Sequence, residues 1–480
     1  MYLGIDIGTS GVKAVVMDER DRPVAEATAP LSISRPRPLW AEQAPQDWWR
    51  AVELALDKLA AESPKAVAAV KAIGLSGQML GVTLLDKDDR PLRPALLWND
   101  GRAAGECRAL EQRFPDFAER VGCRPMPGFS APKLLWLARH EPVALERARR
   151  VLLTKDYIRL RLTGEAASDR ADSSATLLMD TAAGDWDEAL LAACGIGRLM
   201  MPCLVDSAEI AGTVRADLAA RWHLPPGTPV AGGGGDNMCA GIGVGAIRSG
   251  DAYIGLGTSG VYFLANDRFI PAKAAGMHTH RHAVADLYCQ HAVVLSAGAS
   301  LAWIGGLLRA PDLPRLIADV EAAGLTPAAT PIFTPYLGGE RTPHDDPTLT
   351  AVFSGLTHET SALALVQAVM EGVALALADG HEALIGSGAR IGQVSLTGGG
   401  ARSILWARLV AAALGIPLRL QADGHTGPAL GAARLARLSV GGSLIADADG
   451  KAATVPVEPS LREQLLRKHS LFRRHLGLSR

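Results

Sequence analysis

YLGIDIGTSGVKAVVM, at residues 2–17, encloses a Gly-Thr-Ser-Gly turn between two apolar stretches of strand character. The same arrangement returns in the middle of the chain as DAYIGLGTSGVYFL, at residues 251–264. The two turns, at residues 8–11 and 257–260, are identical in sequence. Repetition of a whole strand–turn–strand unit predicts a duplicated domain plan, with a boundary near residue 245.

Strand and helix patterns alternate beyond the first turn. A helix is predicted to begin near Pro45, because proline suits the first turn of a helix. Apolar residues then recur on one helical face, and residues 70–75 and 82–85 predict buried strands. This alternation indicates an α/β fold.

The repeated turns are rich in hydrogen-bond donors for a phosphate. Glycine leaves the backbone N–H groups uncovered, and threonine and serine add hydroxyls, so such a turn can bind phosphate oxygens without a lysine. One Gly-Thr-Ser-Gly turn is also an ordinary hairpin, but two in corresponding halves favour a phosphate chain gripped from both sides. A third loop, Gly398-Gly399-Gly400, follows a predicted strand and indicates close approach to a nucleotide base or ribose. No Walker sequence occurs.

Two aspartates are placed for phosphoryl transfer. Asp6 lies in the first strand just before the turn, where a carboxylate would meet Mg²⁺ and the phosphates. Asp236 follows the glycine run 232–235, which lets the chain pass close to a ligand. Such a carboxylate could accept the proton of a substrate hydroxyl. Each aspartate alone would more simply be a turn or cap residue, but together with the paired turns they favour catalysis.

Composition excludes several classes of protein. The 480 residues carry a net charge of −1, with 48% hydrophobic and 21% charged residues, as in ordinary globular domains. Only residues 462–480 are markedly basic, which indicates a solvated terminal helix rather than nucleic-acid binding. The six cysteines are scattered without a C-x-x-C pair, which is typical of reduced thiols. With no leader pattern and no uninterrupted apolar stretch of membrane-spanning length, we expect a cytoplasmic protein that binds neither nucleic acid nor membrane.

The longer motifs resemble those of the FGGY carbohydrate kinases, a family with the actin-like ATPase fold. The similarity extends over essentially the whole chain and includes both family signatures, the first from Gly128 through Lys133 to Trp136 and the second from Gly355 to Glu371. Ala364 stands in the second signature where a polar residue is usual. The other similar motifs are GIDIGTSGVK (4–13), PLWAEQ (38–43), LWNDGR (97–102), LTKDY (153–157), GGGDN (233–237), YLGGERTPH (336–344) and GPALGAA (427–433).

The resemblance implies two actin-like (ribonuclease H-like) ATPase domains flanking a central cleft, at residues 1–245 and 246–480. The first would bind the sugar and supply the catalytic base, and the second would bind the nucleotide. ATP and Mg²⁺ are the implied cosubstrate and cofactor, and a homodimer is the implied assembly. The implied reaction is phosphorylation of a small ketose such as D-xylulose on its terminal hydroxyl, giving a 5-phosphate.

The resemblance also implies roles for individual residues. Asp236 matches the catalytic base, and Asp6 matches the acid beside the metal and the phosphates. The implied ATP ligands are Thr9, Ser10, Lys13, Gly257, Thr258, Gly298, Gly399 and Gly400. The implied sugar ligands are Gln78, Met79, Leu80, Asn99, Asp236 and Asn237.

Leu80 is the departure that bears on specificity. The family's sugar loop reads Gln-Met-His-Gly, whereas this chain has Gln78-Met79-Leu80-Gly81. Leucine offers no donor to a sugar hydroxyl, and losing one such contact costs about 1–3 kcal/mol. Two interpretations of the substrate stay open. The first is xylulose, held by the remaining contacts. The second is a relative of xylulose, either another ketose such as ribulose or a polyol.

Two other classes of function also stay open. A sugar-sensing regulator would keep the clamp without turnover, and a chaperone-like or filament-forming ATPase would share the phosphate turns. The intact Asp6 and Asp236 favour an enzyme over the regulator. No spare segment supplies the peptide-binding domain that a chaperone would need.

Some polar residues have no clear role in the sequence. His278, His280 and His282 alternate, which would place them on one face of a strand. Zinc would need a fourth ligand and supporting hydrogen bonds, so the structural interpretation is favoured. For Glu340-Arg341 the sequence leaves open whether the pair braces the cleft.

Overall fold

The computed structural model describes residues 1–272, 276–324, 326–420, 427–445 and 453–475. Its strands are β1 (Tyr2–Ile7), β2 (Gly11–Met17), β3 (Pro23–Pro30), β4 (Glu42–Gln43), β5 (Ala72–Gly77), β6 (Thr83–Leu85), β7 (Ala95–Leu96), β8 (Arg150–Leu152), β9 (Ala167–Asp169), β10 (Met179–Asp180), β11 (Asp185–Trp186), β12 (Cys203–Val205), β13 (Ile210–Thr213), β14 (Pro229–Ala231), β15 (Gly234–Gly235), β16 (Ala252–Leu256), β17 (Gly260–Asn266), β18 (His278–Arg281), β19 (Tyr288–Val294), β20 (Ile332–Thr334), β21 (Val352–Ser354), β22 (Val394–Thr397), β23 (Leu418–Leu420) and β24 (Ala453–Val455).

Its helices are α1 (Pro45–Glu62), α2 (Pro64–Val67), α3 (Ala104–Arg113), α4 (Phe117–Val121), α5 (Ser130–His140), α6 (Pro142–Arg147), α7 (Thr154–Thr163), α8 (Arg170–Ser174), α9 (Glu188–Ala193), α10 (Ala216–Trp222), α11 (Asp236–Val244), α12 (Gly298–Leu307), α13 (Leu313–Ala323), α14 (Ala362–Gly386), α15 (Ile404–Leu414), α16 (Pro428–Ser439) and α17 (Pro459–His475).

Two mixed sheets with the same internal order form the centre of the molecule. In the first, the order is β3-β2-β1-β5-β14-β13, with β1 antiparallel to β2 and parallel to β5. In the second, the order is β18-β19-β17-β16-β22-β23-β24, with β16 antiparallel to β17 and parallel to β22. The strands β1 and β16 therefore occupy equivalent places, and each repeated turn joins the same pair of strands. The predicted duplicated α/β plan is confirmed.

The predicted first helix is also confirmed, and its apolar face shows why it forms. In α1, Trp48, Val52, Leu56 and Leu59 are all buried, and the helix packs against β2 and β3. Spacings of three and four residues place these side chains on one stripe that faces the sheet. Proline at the start of the helix costs no hydrogen bond there.

Helix α16 belongs to the second half of the sequence but packs against the first sheet. It contacts β1, β5 and α11. Glycines allow the close approach: a Cβ at Gly4 would lie 1.8 Å from Ala429 O, and one at Gly431 would lie 1.8 Å from Cys239 O. The boundary near residue 245 stays a prediction. With that boundary, α16 belongs to the second half by sequence but packs against the sheet of the first half.

Within the described ranges, α14 is the helix whose length and composition alone would suit a membrane span. Of its most apolar window, 83% is buried inside the protein. It packs against α12, α13, α15 and β19. Such burial is typical of a core helix in a globular protein.

The basic terminal segment forms α17 as a helix, but the prediction that this helix is solvated is wrong for one of its faces. Leu465 and Phe472 are buried. Lys468 forms an ion pair with Glu371 of α14. Residues 476–480 lie outside the described part of the chain. The helix therefore packs on the core of the second half through apolar and paired charged side chains.

Candidate active site

Asp6 lies near the end of β1, directly before the first turn. Ser76, on the neighbouring parallel strand β5, donates its hydroxyl to Asp6 Oδ1 at 2.8 Å. Burial raises the pKa of Asp6 to about 6, although the hydrogen bond from Ser76 and the charge of Lys13 act in the opposite direction. Its other carboxylate oxygen lies toward the turn, 3.8 Å from where a Cβ at Gly8 would be. This carboxylate is placed beside any phosphate that the first turn binds.

Asp236 is the first residue of α11 and follows the glycine run. Gly234 pairs with Ser76 on one side of β5, and Asp6 pairs with the same residue on the other side. The parallel strands β1 and β15 therefore bring Asp6 and Asp236 to the same edge of the first sheet. The sequence predicted both residues for the site, and the structure brings them together there.

The glycine run is required by close backbone packing. Gly233 has φ +75°, and a Cβ there would lie 2.2 Å from Leu75 O. A Cβ at Gly235 would lie 2.8 Å from the sulfur of Met79. The run thus brings the chain against β5 and the sugar-loop residue Met79 immediately before Asp236.

The pKa of Asp236 is raised to about 8, first by burial and then by the negative charges of Asp6 and Asp172. The backbone N–H of Asn237 donates to Asp236 Oδ1 at 2.7 Å and acts in the opposite direction. A carboxylate with a raised pKa is a stronger base than an ordinary aspartate once it is ionised. Asp236 therefore holds a proton more tightly than an ordinary aspartate, and its role as the base stays a prediction.

A buried ionic cluster lies behind Asp236, and the sequence did not predict it. Lys155 Nζ contacts Asp156 and Asp169 at 2.8 Å and Asp172 at 3.0 Å, all fully desolvated. Arg159 pairs with Asp156 at 2.8 Å and donates to the carbonyl of Gly232 at the start of the glycine run. The only signal in the sequence was the LTKDY motif, which carried the family resemblance without a role.

A cavity of about 190 Å³ opens beside Asp236 and is lined from both halves of the chain. This volume lies below the roughly 300–1,000 Å³ of pockets for drug-sized ligands and suits a single small sugar. The lining residues are Met79, Leu80, Trp98, Phe129, Asp236 and Asn237 from the first half, and Ser259, Val261, His278, His280, His291, Val293 and Arg341 from the second.

Leu80 has a left-handed backbone, with φ +68°, that a buried lysine supports. Lys133 Nζ donates to the carbonyl of Leu80 at 2.6 Å and to those of Leu96 and Leu97 at 3.2 and 3.0 Å. Burial lowers the pKa of Lys133 to about 7. Lys133 therefore ties the sugar loop to the segment that leads into Trp98, a role that its place in the first signature did not reveal.

A larger cavity of about 620 Å³ lies in the second half. It brings together five of the predicted ATP ligands: Gly257, Thr258, Gly298, Gly399 and Gly400. Apolar residues of α12, α13 and α15 form much of the remaining wall. Gly298 N–H donates to Gly257 O at 2.9 Å, and a Cβ at Gly298 would lie 2.5 Å from that oxygen. Glycine at position 298 therefore lets the start of α12 pack closely against the second turn.

The second turn borders both cavities. Gly257 and Thr258 line the larger cavity, whereas Ser259 lines the smaller one. A phosphate chain running along this turn would therefore extend from the larger cavity toward the smaller one. This is the geometry that transfer from a nucleotide to a sugar requires.

Other predicted ligands line neither cavity in the described ranges; they are Thr9, Ser10, Lys13, Gln78 and Asn99. Thr9 donates its hydroxyl to Gln78 Oε1 at 3.0 Å and accepts from Trp98 Nε1 at 3.0 Å. The first turn is thus bonded to the wall of the smaller cavity. Lys13 pairs with Glu26 at 2.9 Å, and Asn99 Oδ1 is buried without a hydrogen-bond partner among the described residues. Their roles as ligands stay predictions.

The alternating histidines divide between two environments. His278 and His280 line the smaller cavity together with His291 of β19. His282 follows β18, and its Nε2 lies 3.0 Å from Ala246 O, outside the cavity lining. Across the described ranges, no group of three or more His, Cys, Asp or Glu side chains is placed to hold a metal ion. The two strands thus supply imidazoles to the sugar-sized cavity.

The Glu340-Arg341 pair has a definite position. Arg341 lines the smaller cavity. Glu340 accepts hydrogen bonds from the backbone N–H groups of Leu295 and Arg341, at 2.9 and 2.7 Å. Burial raises the pKa of Glu340 to about 7. Glu340 thus holds the strand end and the loop that carries Arg341.

A duplicated actin-like fold whose nucleotide-sized cavity leads toward the carboxylate of Asp236 is typical of a phosphotransferase. The family model of the FGGY carbohydrate kinases, N-terminal domain, matches residues 1–243. The model of the C-terminal domain matches residues 252–440. The chain belongs to the FGGY family of carbohydrate kinases, with ATP as the cosubstrate that this family uses.

Similar proteins share this architecture over nearly their whole length. The xylulose kinase of Escherichia coli K12 is 45% identical over 440 residues, which is 92% of this chain and 90% of that protein. The xylulose kinase of Klebsiella pneumoniae is 43% identical over 463 residues, which is 96% of this chain and 94% of that protein. The solved structure of a xyloylose kinase from Brucella ovis has a TM-score of 0.94 at 42% identity and covers all of both chains.

Proposed function

We propose that the chain transfers the γ-phosphoryl group of ATP to the terminal hydroxyl of D-xylulose, giving D-xylulose 5-phosphate and ADP. The observation that carries this proposal is the second turn, which borders the nucleotide-sized cavity with Gly257 and Thr258 and the sugar-sized cavity with Ser259. The relatives named as xylulose kinases, which match more than nine-tenths of the chain, support the choice of sugar.

In this proposal the first half holds the sugar against Asp236, and the second half holds ATP. Met79, Leu80 and Asn237 line the cavity beside the base. Gly399 and Gly400 line the other end, where the adenosine would lie. Because both halves line the smaller cavity, a bound sugar would be enclosed between them, which excludes water and limits hydrolysis of ATP.

The chemistry follows from the position and basicity of Asp236. The ionised carboxylate accepts the proton of the terminal hydroxyl while the new bond forms between that oxygen and the γ-phosphorus. The bond from the γ-phosphorus to the β–γ bridging oxygen breaks, and ADP leaves. The proton remains on Asp236 until the products depart. Donors of the second turn stabilise the charge on the transferring group.

Mg²⁺ fits this site as an ion shared with the nucleotide. Mg²⁺ is usually held by one or two carboxylates together with substrate phosphates and water. Asp6 offers one carboxylate beside the first turn, where Ser76 orients it. We propose that Asp6 holds the ion directly or through water, where the ion would neutralise phosphate charge.

We also propose a cellular compartment and an oligomeric state. All six cysteines lie in the described ranges as free thiols, and Cys203 is the exposed one. Free thiols suit a reducing compartment, so we place the enzyme in the cytoplasm. A homodimer is proposed from the family resemblance.

We expect D-xylulose to give the highest kcat/KM in an assay of ADP release with MgATP across pentuloses, hexuloses and polyols. The assay is run beside Leu80→His, which restores the histidine of the family's sugar loop. If Leu80 is a tolerated change, the variant keeps the same preference. If another sugar such as ribulose is preferred and Leu80→His moves the preference toward xylulose, the chain is a kinase for that other sugar and the choice of xylulose is wrong.

The rate is expected to rise with pH because the base must be ionised. With the pKa of Asp236 near 8, kcat/KM for the sugar should increase roughly tenfold per pH unit below that value and level off above it. Asp172→Asn removes a negative charge that raises this pKa, so the rising limb should move to lower pH. A profile that is flat between pH 6 and pH 9 would contradict the role of Asp236.

A further inference from the structure

Three imidazoles from the second half form one wall of the smaller cavity. His278 and His280 lie on β18, and His291 lies opposite His278 on β19. Their ring centroids are 5.6 to 6.4 Å apart. Each residue is at least nine-tenths buried, with exposed fractions of 5%, 1% and 2%. They form a compact polar surface in a cavity where the first half offers the apolar Met79, Leu80, Trp98 and Phe129 beside Asp236 and Asn237.

Each imidazole carries a buried ring nitrogen without a hydrogen-bond partner in the described part of the protein. These atoms are His278 Nε2, His280 Nδ1 and His291 Nε2. Buried polar atoms in folded proteins are nearly always bonded, so three neighbouring rings that line one cavity and each leave a nitrogen unbonded point to a polar ligand there. The contrast is His282, whose two ring nitrogens both have backbone partners.

The protonation state of the three histidines indicates which kind of ligand they can bind. Burial lowers the pKa of His280 to about 3, and it lowers the pKa of His278 and of His291 well below the ordinary value. A neutral imidazole has one N–H donor and one acceptor nitrogen. A hydroxyl group also donates and accepts, so a row of neutral imidazoles matches the successive hydroxyls of a sugar. Within the described ranges, the geometry holds no metal-binding group of three such side chains.

We propose that His280, with His278 and His291 beside it, binds hydroxyls of the acceptor sugar and takes over the polar contact that Leu80 cannot make. This inference rests on the proposed sugar-kinase function and assigns its specificity to the second half. The ring of Phe129, from the first half, packs against this histidine wall, with its centroid 5.1 Å from the ring of His278 and 6.2 Å from that of His280. Leu80 and His280 would then both face the bound sugar within a single cavity.

The test compares His280→Phe with the parent enzyme on the sugar that the substrate panel ranks first. Phenylalanine keeps a planar ring but removes both nitrogens. We expect KM for the sugar and its dissociation constant, measured by calorimetry without nucleotide, to rise about tenfold, the effect of one lost hydrogen bond to a buried group. The values of kcat and of KM for ATP should change much less than KM for the sugar, because the lost hydrogen bond holds the sugar equally in the ground state and the transition state and His280 does not line the larger cavity.

Further variants separate recognition from structure. His280→Asn keeps an amide donor and acceptor near the Nδ1 position and should recover much of the affinity. His291→Phe tests the neighbouring ring if His280→Phe fails to fold. His381→Phe is the matched control, because this buried histidine bonds Tyr262 outside the cavity and should leave KM for the sugar unchanged.

A coupling measurement completes the test. In the double variant Leu80→His, His280→Phe, the new histidine should restore part of the lost affinity, so the two effects should not add. The inference is overturned if His280→Phe and His291→Phe both leave sugar affinity within about twofold of the parent, or if His381→Phe weakens it equally. A preference for a sugar other than xylulose would refute the proposed substrate without touching this result, because the affinities are measured on the preferred sugar.

Discussion

Asp236→Asn is expected to lower kcat for sugar phosphorylation by about 10²–10⁴-fold, the range for loss of a general base. Asparagine has the shape of aspartate and keeps the oxygen that accepts the N–H of Asn237, so the start of α11 should be preserved. It cannot take up the proton of the sugar hydroxyl. KM for ATP should change by less than about twofold, since the proposed ATP site is the other cavity. The measurement is ADP release with and without sugar.

Asp251→Asn is the matched control for this variant. Burial also raises the pKa of Asp251, but its carboxylate caps the backbone N–H groups of Ile247 and Arg248 and lines neither cavity. Its kcat should remain within about twofold of the parent. If Asp236→Asn kept more than about a tenth of the parent kcat, the base would have to be another group. If both variants lost activity equally, the effect of Asp236→Asn would be structural.

The sequence predicted those parts of the fold and site that short segments determine. A strand, a glycine-rich turn and a second strand need only neighbouring residues, so both hairpins and their equivalence could be read from residues 2–17 and 251–264. Asp6 and Asp236 were predictable for the same reason, because each stands beside its glycine segment in the chain. The structure places both at one edge of the first sheet.

The parts that could not be predicted depend on contacts between distant segments. Lys133 lies 53 residues from Leu80 in the sequence, and its contact depends on how α5 packs beneath the sugar loop. The cluster around Lys155 needs α7, β9 and α8 to meet in a buried place. Sequence spacing alone could not predict which charges would be desolvated together, or that their field would act on Asp236.

Which side chains each half contributes to the smaller cavity also depends on tertiary structure. Met79 and Leu80 line the sugar-sized cavity, whereas the side chain of Gln78 bonds Thr9 of the first turn and Gln43. Gln78 stands next to Met79 in the same motif but bonds other protein side chains, because its own side chain points into the protein. The polar wall opposite comes from β18 and β19, which no motif of the first half could indicate.

Gly431→Ala is expected to destabilise the protein by about 3 kcal/mol or more, at the upper end of the range for overpacking. The added Cβ would lie 1.8 Å from Cys239 O and 2.6 Å from its carbonyl carbon, and both are backbone atoms of α11 that cannot rotate away. The helices α11 and α16 must separate, and α16 must then lift from β1 and β5. The measurement is the free energy of unfolding in denaturant for the transition that includes the first sheet.

Gly306→Ala serves as the control for the glycine change itself. Gly306 is an exposed residue near the end of α12, and an added Cβ there meets no atom within 4 Å. Alanine should therefore stabilise that helix by up to about 1 kcal/mol. A Gly431→Ala protein as stable as the parent would mean that α16 does not pack on α11 as described. Asp236 begins α11, so Gly431→Ala molecules that remain folded should also have a lower kcat. Gly306→Ala should leave kcat unchanged. This difference is expected because the contact between α11 and α16 both stabilises the fold and positions the carboxylate of Asp236.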